Sequence, residues 1–250
     1  MAKLGVTILR HDCVTSTNDL ARDLAAAGAP EGVVVTAREQ TAGRGRQGRT
    51  WESGPDEGLY LSVILRPRMR AIDAPILTLG AAVAVAETLK YDFSLTPDIK
   101  WPNDLMVGGK KICGILAESA TEAGDHIQYF VLGIGVNIRQ QEFPDAIAGA
   151  ATSLRLECGD LVSPEGFLEP LLGRLEHWYR QTMNSPVTAI TRWEQLSTYA
   201  RDCQVRVLTP EGCCHAVTRG LAPGGALVIE LDSGEIREIR SGEVSLRSAI

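Results

Sequence analysis

The pattern of the chain changes near residue 200, and this change limits how the 250 residues can fold. Beyond Cys203, short apolar runs are separated by turn residues, whereas longer helical and strand-like segments come before it. Short β-rich runs joined by glycine turns are typical of a small barrel. The sequence therefore predicts an α+β domain with a small β-barrel appended, and a boundary near residues 199–202. The predicted C-terminal strands are 205–208, 214–221, 226–231 and 236–239.

The first 200 residues contain strand and helix signals in mixed order. Ser16 and Asp19 have the spacing of a capping box, and Gly28 and Pro30 end the helix that follows. Residues 73–90 are rich in Ala, Leu and Val with little charge, which predicts a helix buried against a sheet. A Gly-Gly pair at 108–109 indicates a hairpin. Strands are predicted at 6–10, 32–38, 59–65, 99–101, 105–107, 111–118 and 127–137, and helices at 19–27, 73–90, 164–183 and 186–199.

The composition is that of an ordinary globular protein and argues against several classes of function. No apolar run reaches the roughly 20 residues of a membrane span, and the short, β-rich start does not resemble a signal peptide. We therefore expect a cytoplasmic protein without membrane association. The net charge of −6 argues against nonspecific nucleic-acid binding. The six cysteines form no C-x-x-C pair, so neither a zinc site nor a disulfide framework is expected.

Residues 43–49 concentrate three arginines and three glycines in an otherwise acidic chain. Guanidinium groups on a glycine-rich loop favour binding of one small anion. The glycine spacing also matches the dinucleotide-binding expression, but Gly54-Pro55 follows soon after and will not start the long helix that this fold requires. A Walker A loop is absent as well. A solvated surface loop without a ligand is the alternative.

Four further segments combine polar or charged residues with turn signals, and each has a plain structural alternative. Residues 100–104, Lys-Trp-Pro-Asn-Asp, fit either a site or a turn at a sheet edge with Trp101 in the core. The lysines at 110–111 fit either a ligand contact or a charged hairpin end. The two glycines of 133–137 allow close approach by a ligand or by a neighbouring element. Residues 16–18, Ser-Thr-Asn, also fit a simple helix N-cap.

Taken in order, these segments resemble the biotin–protein ligase family over nearly the whole chain, including the ending 242–247. The resemblance implies an α+β catalytic domain with a mixed β-sheet packed with helices over residues 1–200. It also implies a small SH3-like β-barrel over residues 201–250. Some family members begin with a helix-turn-helix domain, whereas this sequence starts almost at its first catalytic-domain strand. A repressor role and nucleic-acid binding are therefore not expected.

The resemblance also assigns roles to individual residues. Arg46 and Lys111 are expected to be catalytic, through their fixed positive charge. No protein metal site and no covalent enzyme intermediate are expected, and Mg²⁺ should accompany ATP on its phosphates. The expected biotin contacts are Ser16, Thr17, Asn18, Gln40, Arg44, Gly45, Arg46 and Lys111. The expected nucleotide contacts are Arg49, Trp51, Asn103 and Asn137. Residues 139–154, where a second ligand-ordered loop would lie, receive no individual assignments.

The implied reaction activates biotin with ATP as biotinyl-5′-AMP and then transfers biotin to a lysine of a biotin carboxyl carrier domain. Three alternatives stay open: a lipoate or octanoyl transferase of similar fold, a non-catalytic biotin or adenylate sensor, and a generic nucleotide-binding module. Exposed strand edges would allow a homodimer. Neither the oligomeric state nor the acceptor carboxylase follows from the sequence.

Overall fold

The computed structural model describes residues 2–159, 162–209, 212–240 and 242–246. In the N-terminal part, strands and helices alternate irregularly, as predicted. The elements are β1 (Ile8–Val14), α1 (Thr17–Ala26), β2 (Val34–Gln40), β3 (Gly58–Leu65), α2 (Pro75–Asp92), β4 (Pro97–Lys100), β5 (Asp104–Val107), β6 (Lys110–Glu122) and β7 (His126–Asn137). They are followed by α3 (Leu154–Cys158), α4 (Pro164–Asn184) and α5 (Pro186–Gln195).

The strands β1 to β7 form one mixed sheet in the order β1-β2-β3-β7-β6-β5-β4. The pair β1–β2 is parallel because α1 supplies the crossover connection between them, and the other neighbours are antiparallel. Helix α1 packs on β2, β3 and β7 and covers part of one sheet face, while α2 and α4 cover the opposite face. This arrangement confirms the predicted α+β fold with a mixed sheet.

Helix α2 is buried almost along its whole length, as its composition predicts. Its residues Ala81 to Ala86 are all at most 4% exposed, and the helix contacts β4, β5, β6, α4 and α5. Within the described ranges, Ala71–Asp92 is the segment long and apolar enough to cross a membrane, but 72% of its most apolar 18-residue stretch is buried inside the protein. A core helix of a globular protein accounts for these properties.

The C-terminal residues form a second, antiparallel sheet in the order β11-β10-β9-β8-β12. Its strands are β8 (Arg201–Thr209), β9 (Gly212–Leu221), β10 (Leu227–Leu231), β11 (Ile236–Ile239) and β12 (Glu243–Leu246). This sheet confirms the predicted small β-domain, and β8 begins at Arg201; the domain boundary at residue 200 itself stays a prediction. The Trp101 indole N–H donates to the Gly225 carbonyl at 3.2 Å, which links the two parts.

Several local predictions were inaccurate. The first strand, predicted at 6–10, is β1 at Ile8–Val14. Helix α1 begins two residues early, at Thr17, and its N-cap Ser16 makes no side-chain capping bond, so the predicted capping box is not formed. Helix α5 ends at Gln195, before the predicted Tyr199. Helix α3 was missed because five residues carry no periodicity, although its Ser153 cap and left-handed Gly159 were readable signals.

Candidate active site

A cavity lies beside the N-terminus of α1, on the face of the large sheet that α1 partly covers. It is closed on one side by residues 44–51 and on another by the turn between β4 and β5. The structure brings together almost all of the predicted site residues here. Those that line the cavity are Ser16, Thr17, Asn18, Gln40, Arg44, Gly45, Arg46, Arg49, Trp51, Asn103 and Lys111.

The charge around the cavity is strongly unbalanced. Among the described residues that line it, Asp104 is the one acidic side chain. Five basic side chains line the same space, and we call them the cation rim: Arg44, Arg46, Arg49, Lys100 and Lys111. An excess of positive charge in a chain of net charge −6 indicates a site for an anionic ligand. The loop 43–49, which was predicted to bind an anion, supplies three of these five side chains.

The inner side of the cavity carries a largely buried hydrogen-bond network, the polar wall, formed by Thr17, Asn18, Gln40, Ser53 and Ser62. The first three line the cavity, and the two serines hold them by hydrogen bonds. The Thr17 backbone N–H donates to Gln40 Oε1 at 2.8 Å, and Gln40 Nε2 donates to Ser53 Oγ at 2.9 Å. Ser62 Oγ lies 2.8 Å from Thr17 Oγ1 and 2.6 Å from Asn18 Oδ1. Such a network fixes the orientation of each polar group that faces a ligand.

Glycines on β6 and β7 make room for the side chains that form the cavity floor. A Cβ at Gly133 would overlap the amide oxygen of Asn18, and one at Gly135 would come within 2.5 Å of Trp51 Nε1. A Cβ at Gly114 would lie 3.0 Å from the Trp51 ring. Close approach by neighbouring side chains thus explains the glycines of the 133–137 segment.

The loop that carries the arginines is folded back on itself. Arg44 pairs with Thr50 as an isolated bridge, and the Gly45 N–H donates to the Arg49 carbonyl at 2.7 Å. Trp51 N–H donates to the Gly43 carbonyl at 2.9 Å. Between them, Gln47 and Gly48 both have positive φ, a conformation that Gly48 adopts without steric cost. Backbone bonds therefore shape the loop.

Two arginines of the cation rim contact distant parts of the chain. Arg44 Nη2 lies 2.7 Å from Asp19 Oδ1 and 3.0 Å from Glu118 Oε2. Arg46 Nη1 donates to Asn103 Oδ1 at 3.3 Å and to the Gly242 carbonyl of the C-terminal sheet at 3.4 Å. Asn103 is itself held by donation from its Nδ2 to the Ile115 carbonyl at 2.6 Å.

Lys111 projects over the floor of the cavity. Its Nζ lies 2.6 Å from Asp104 Oδ1 and 5.3 Å from the centroid of the Trp51 ring, a cation–π distance. Burial raises the pKa of the neighbouring Cys113 thiol far above its usual value, so that the thiol stays protonated at neutral pH. Burial likewise raises the pKa of Tyr60, whose hydroxyl donates to the Gly54 carbonyl at 3.1 Å. Neither group is a ready nucleophile.

Asn137 is the predicted site residue that does not line the cavity. It is 6% exposed, and its Nδ2 donates to the Thr152 carbonyl at 2.9 Å. The backbone of Lys111 brackets the same segment, donating to the Ala150 carbonyl and accepting from the Thr152 N–H. The end of the 139–154 segment is thus attached beside Lys111. A role for Asn137 in nucleotide binding stays a prediction.

Three residues of the site were not singled out from the sequence. Ser62 interrupts the apolar run 59–65, and a lone hydroxyl in a buried strand was a usable signal. Ser53 and Glu118 carried no comparable signal, because only the folded chain brings them to their partners. Nowhere in the described ranges do three or more His, Cys, Asp or Glu side chains form a group that would hold a metal ion.

Comparisons with known proteins agree with this geometry. Residues 11–137 match the model of the "Biotin/lipoate A/B protein ligase family", and residues 204–247 match the "Biotin protein ligase C terminal domain". The chain is 36% identical to the "Bifunctional ligase/repressor BirA" of Bacillus subtilis, over 97% of this chain and 75% of that protein. It is 35% identical to the "Biotin--[acetyl-CoA-carboxylase] ligase" of Paracoccus denitrificans, over 80% and 85%.

A solved structure extends the similarity to three dimensions. The Aquifex aeolicus biotin protein ligase "in complex with biotin and ATP" is similar with a TM-score of 0.81 and 30% identity. The match covers 98% of this chain and 100% of that one.

Proposed function

The chain belongs to the biotin/lipoate A/B protein ligase family, and on that premise we propose that it is a biotin–protein ligase. It activates biotin with ATP as biotinyl-5′-AMP and transfers it to a lysine of a biotin carboxyl carrier domain. The observation that carries this proposal is a single cavity in which a neutral polar wall meets a cation rim. Biotin has a neutral ureido head and an anionic carboxylate, and these two surfaces suit its two ends.

In the first step, a carboxylate oxygen of biotin attacks the α-phosphorus of ATP. A new P–O bond forms, the bond to the β-phosphate breaks, and pyrophosphate leaves. An anion must approach a polyanion, so that the main tasks of the site are to neutralise charge and align the two reactants. Lys111 and Arg46 both supply positive charge to the cavity, and their partners Asp104 and Asn103 are adjacent in the sequence.

The exposed ion pairs of the cation rim suit this chemistry. The Lys111 side chain is 33% exposed and Asp104 26%. A partly solvated pair of this kind is weak, because water competes for both partners. The ammonium group can therefore exchange Asp104 for a carboxylate or phosphate oxygen of the reactants at little cost. Arg44 and Arg46, on the loop, would bind biotinyl-5′-AMP in the same way.

Magnesium fits the proposal as a companion of ATP. Asp104 is the acidic side chain that lines the cavity, and it already faces Lys111 at 2.6 Å. The residues present therefore suit a Mg²⁺ ion held mainly by phosphate oxygens and water. When bound, such an ion would offset charge on the leaving pyrophosphate.

In the second step, the neutral amine of a carrier lysine attacks the carbonyl carbon of the mixed anhydride. An amide bond forms, the bond to the AMP oxygen breaks, and the amine loses a proton. Water would hydrolyse the same anhydride, so the loop 43–51 must exclude it until the carrier arrives. Its positive-φ residues and internal hydrogen bonds fit a segment that moves as one piece.

Two assays test the proposal. ATP–pyrophosphate exchange should depend on biotin, and lipoate and octanoate should not replace it. Mass spectrometry of a carrier domain incubated with the protein, biotin and MgATP should then find one added biotinyl group on a lysine. Exchange that depends on lipoate would move the chain to the lipoate branch of the family. Biotin binding without exchange and without carrier labelling would support a non-catalytic sensor.

A further inference from the structure

Glu118 lies between the polar wall and the cation rim and contacts a member of each. It belongs to β6, in alternation with Gly114 and Leu116, on the sheet face that carries the cavity. Its carboxylate accepts a hydrogen bond from Asn18 Nδ2 at 2.8 Å. Its two oxygens also lie 3.1 and 3.0 Å from Arg44 Nη2. One side chain therefore connects a buried amide to the first arginine of the loop.

The Asn18 amide depends on Glu118 for its orientation. Asn18 is 4% exposed, and its Oδ1 lies 2.6 Å from Ser62 Oγ. An amide has two N–H donors, and Nδ2 here has two acceptors, the Leu116 carbonyl at 3.3 Å and the Glu118 carboxylate. The Glu118 bond is the shorter and the charged one, so it contributes most to holding the amide in place.

Arg44 has a second carboxylate partner that provides a natural comparison. Asp19 Oδ1 lies 2.7 Å from Arg44 Nη2 and 3.1 Å from Arg22 Nη1. Both Asp19 and Glu118 thus hold Arg44, while Glu118 also holds Asn18. Removing Asp19 would loosen the loop alone, whereas removing Glu118 would loosen the loop and the polar wall together.

We propose that Glu118 is a positioning residue that couples the polar wall to the arginine loop. A ligand bound at the polar wall further restrains Asn18, and through it Glu118, whose two oxygens both contact Arg44. Occupancy of the polar wall thereby favours the ordered loop. The inference rests on the proposed function, since it takes the polar wall as the biotin side and Arg44 as part of the adenylate-retaining loop.

The test compares three variants in two measurements: biotin affinity by titration calorimetry and the rate at which bound biotinyl-AMP leaves the enzyme. Glu118→Ala should weaken biotin binding and speed release, each about tenfold, the scale of one lost charge-assisted hydrogen bond. Glu118→Gln keeps an oxygen for Asn18 but loses the charge, so it should speed release about as much as Glu118→Ala and weaken biotin binding less. Asp19→Asn should affect release alone.

A double-mutant cycle makes the coupling itself measurable. The effects of Asn18→Ala and Arg44→Ala on biotin affinity should be non-additive with Glu118 present and additive in the Glu118→Ala background. If Glu118→Ala does not fold, the nearly isosteric Glu118→Gln and Asp19→Asn still carry the release measurement. Changes in only one property in Glu118→Ala, or additive effects with Glu118 present, would overturn the coupling. Failure of the wild-type protein to form biotinyl-AMP would instead count against the proposed function.

Discussion

The polar wall and the cation rim line the same cavity but are built in opposite ways. The polar wall is buried: Thr17 and Asn18 are 4% exposed, Ser62 is fully buried, and neutral hydrogen bonds connect the three to one another. The rim is partly exposed, and Arg44 and Lys111 form partly solvated ion pairs with carboxylates at 2.7 and 2.6 Å. Buried networks are costly to break, whereas exposed ion pairs are easily exchanged.

This difference suits the two regions to different roles. A rigid wall suits recognition of a fixed neutral shape, because none of its groups has to move when the ligand enters. A rim whose ion pairs exchange partners easily suits a reaction in which charged groups enter the cavity, react and leave. This contrast can be tested, because substitutions in the two regions should change different properties of the protein.

The largest effect is expected at Lys111. In the Lys111→Ala variant, formation of biotinyl-AMP should fall by about 10²- to 10³-fold, the usual loss for one preorganised charge at a reacting centre. Pyrophosphate exchange measures the rate. Lys110→Ala is the matched control, because Lys110 is adjacent and exposed but does not line the cavity. Equal rates in the two variants would remove Lys111 from the chemistry.

The next effect probes the rigidity of the polar wall. A Cβ at Gly133 would overlap the Asn18 amide, so Gly133→Ala should lower stability by about 1–3 kcal/mol, the usual cost of overpacking, and raise the KM for biotin. Urea unfolding and steady-state kinetics measure the two changes. In Gly149→Ala, where no atom lies within 4 Å of the added carbon, both should stay near wild type. An unchanged Gly133→Ala protein would mean that the wall adapts.

A smaller effect is expected for the loop at Arg46. Arg46→Ala removes the contact with Asn103, so bound biotinyl-AMP should leave or hydrolyse about tenfold faster, which corresponds to about 1.4 kcal/mol. Single-turnover formation followed by dilution measures release. Arg68→Ala, an exposed arginine that does not line the cavity, is the control. Unchanged formation and retention in Arg46→Ala would exclude the loop from the mechanism.

The smallest effect concerns an exposed ion pair away from the cavity. The hydrogen bond from Arg38 is the main cause that lowers the pKa of Asp56. A lowered folded-state pKa adds stability above the ordinary carboxyl pKa of about 4, and this is lost as pH falls through the folded value. In Arg38→Ala, NMR titration should find the Asp56 pKa nearer its ordinary value, with little change in melting temperature at neutral pH. A large loss of stability would show that exposed pairs here are not weak.

Much of the rim was predictable from the sequence, because clustered arginines on a glycine loop have few other uses. The residues that pair with these arginines were not predictable. Asp19 and Glu118 lie 25 and 74 residues from Arg44, and only the fold brings them together. The same holds for Arg46 and Gly242, which are 196 residues apart. The charge of a segment can be read from the local sequence, whereas its pairing depends on the tertiary fold.

The polar wall was harder to predict for the same reason. Thr17 and Asn18 fitted a simple helix start, and only contacts with Gln40 and Ser62 identify them as part of a network. The long strands and the buried helix α2 followed from apolar patterns in the sequence, whereas the mixed topology of the sheet was expected only from the family resemblance. Short elements such as α3 lack such a pattern and were missed.

The position of Trp51 gives the protein a built-in optical reporter. Of the four tryptophans, Trp101, Trp178 and Trp193 are at most 6% exposed, while Trp51 is partly exposed on the cavity floor beneath Lys111. The emission of Trp51 should therefore respond to events in the site more strongly than that of the three buried tryptophans. A ligand that displaces water or Lys111 from this ring would shift that emission, so that occupancy can be followed in unlabelled protein.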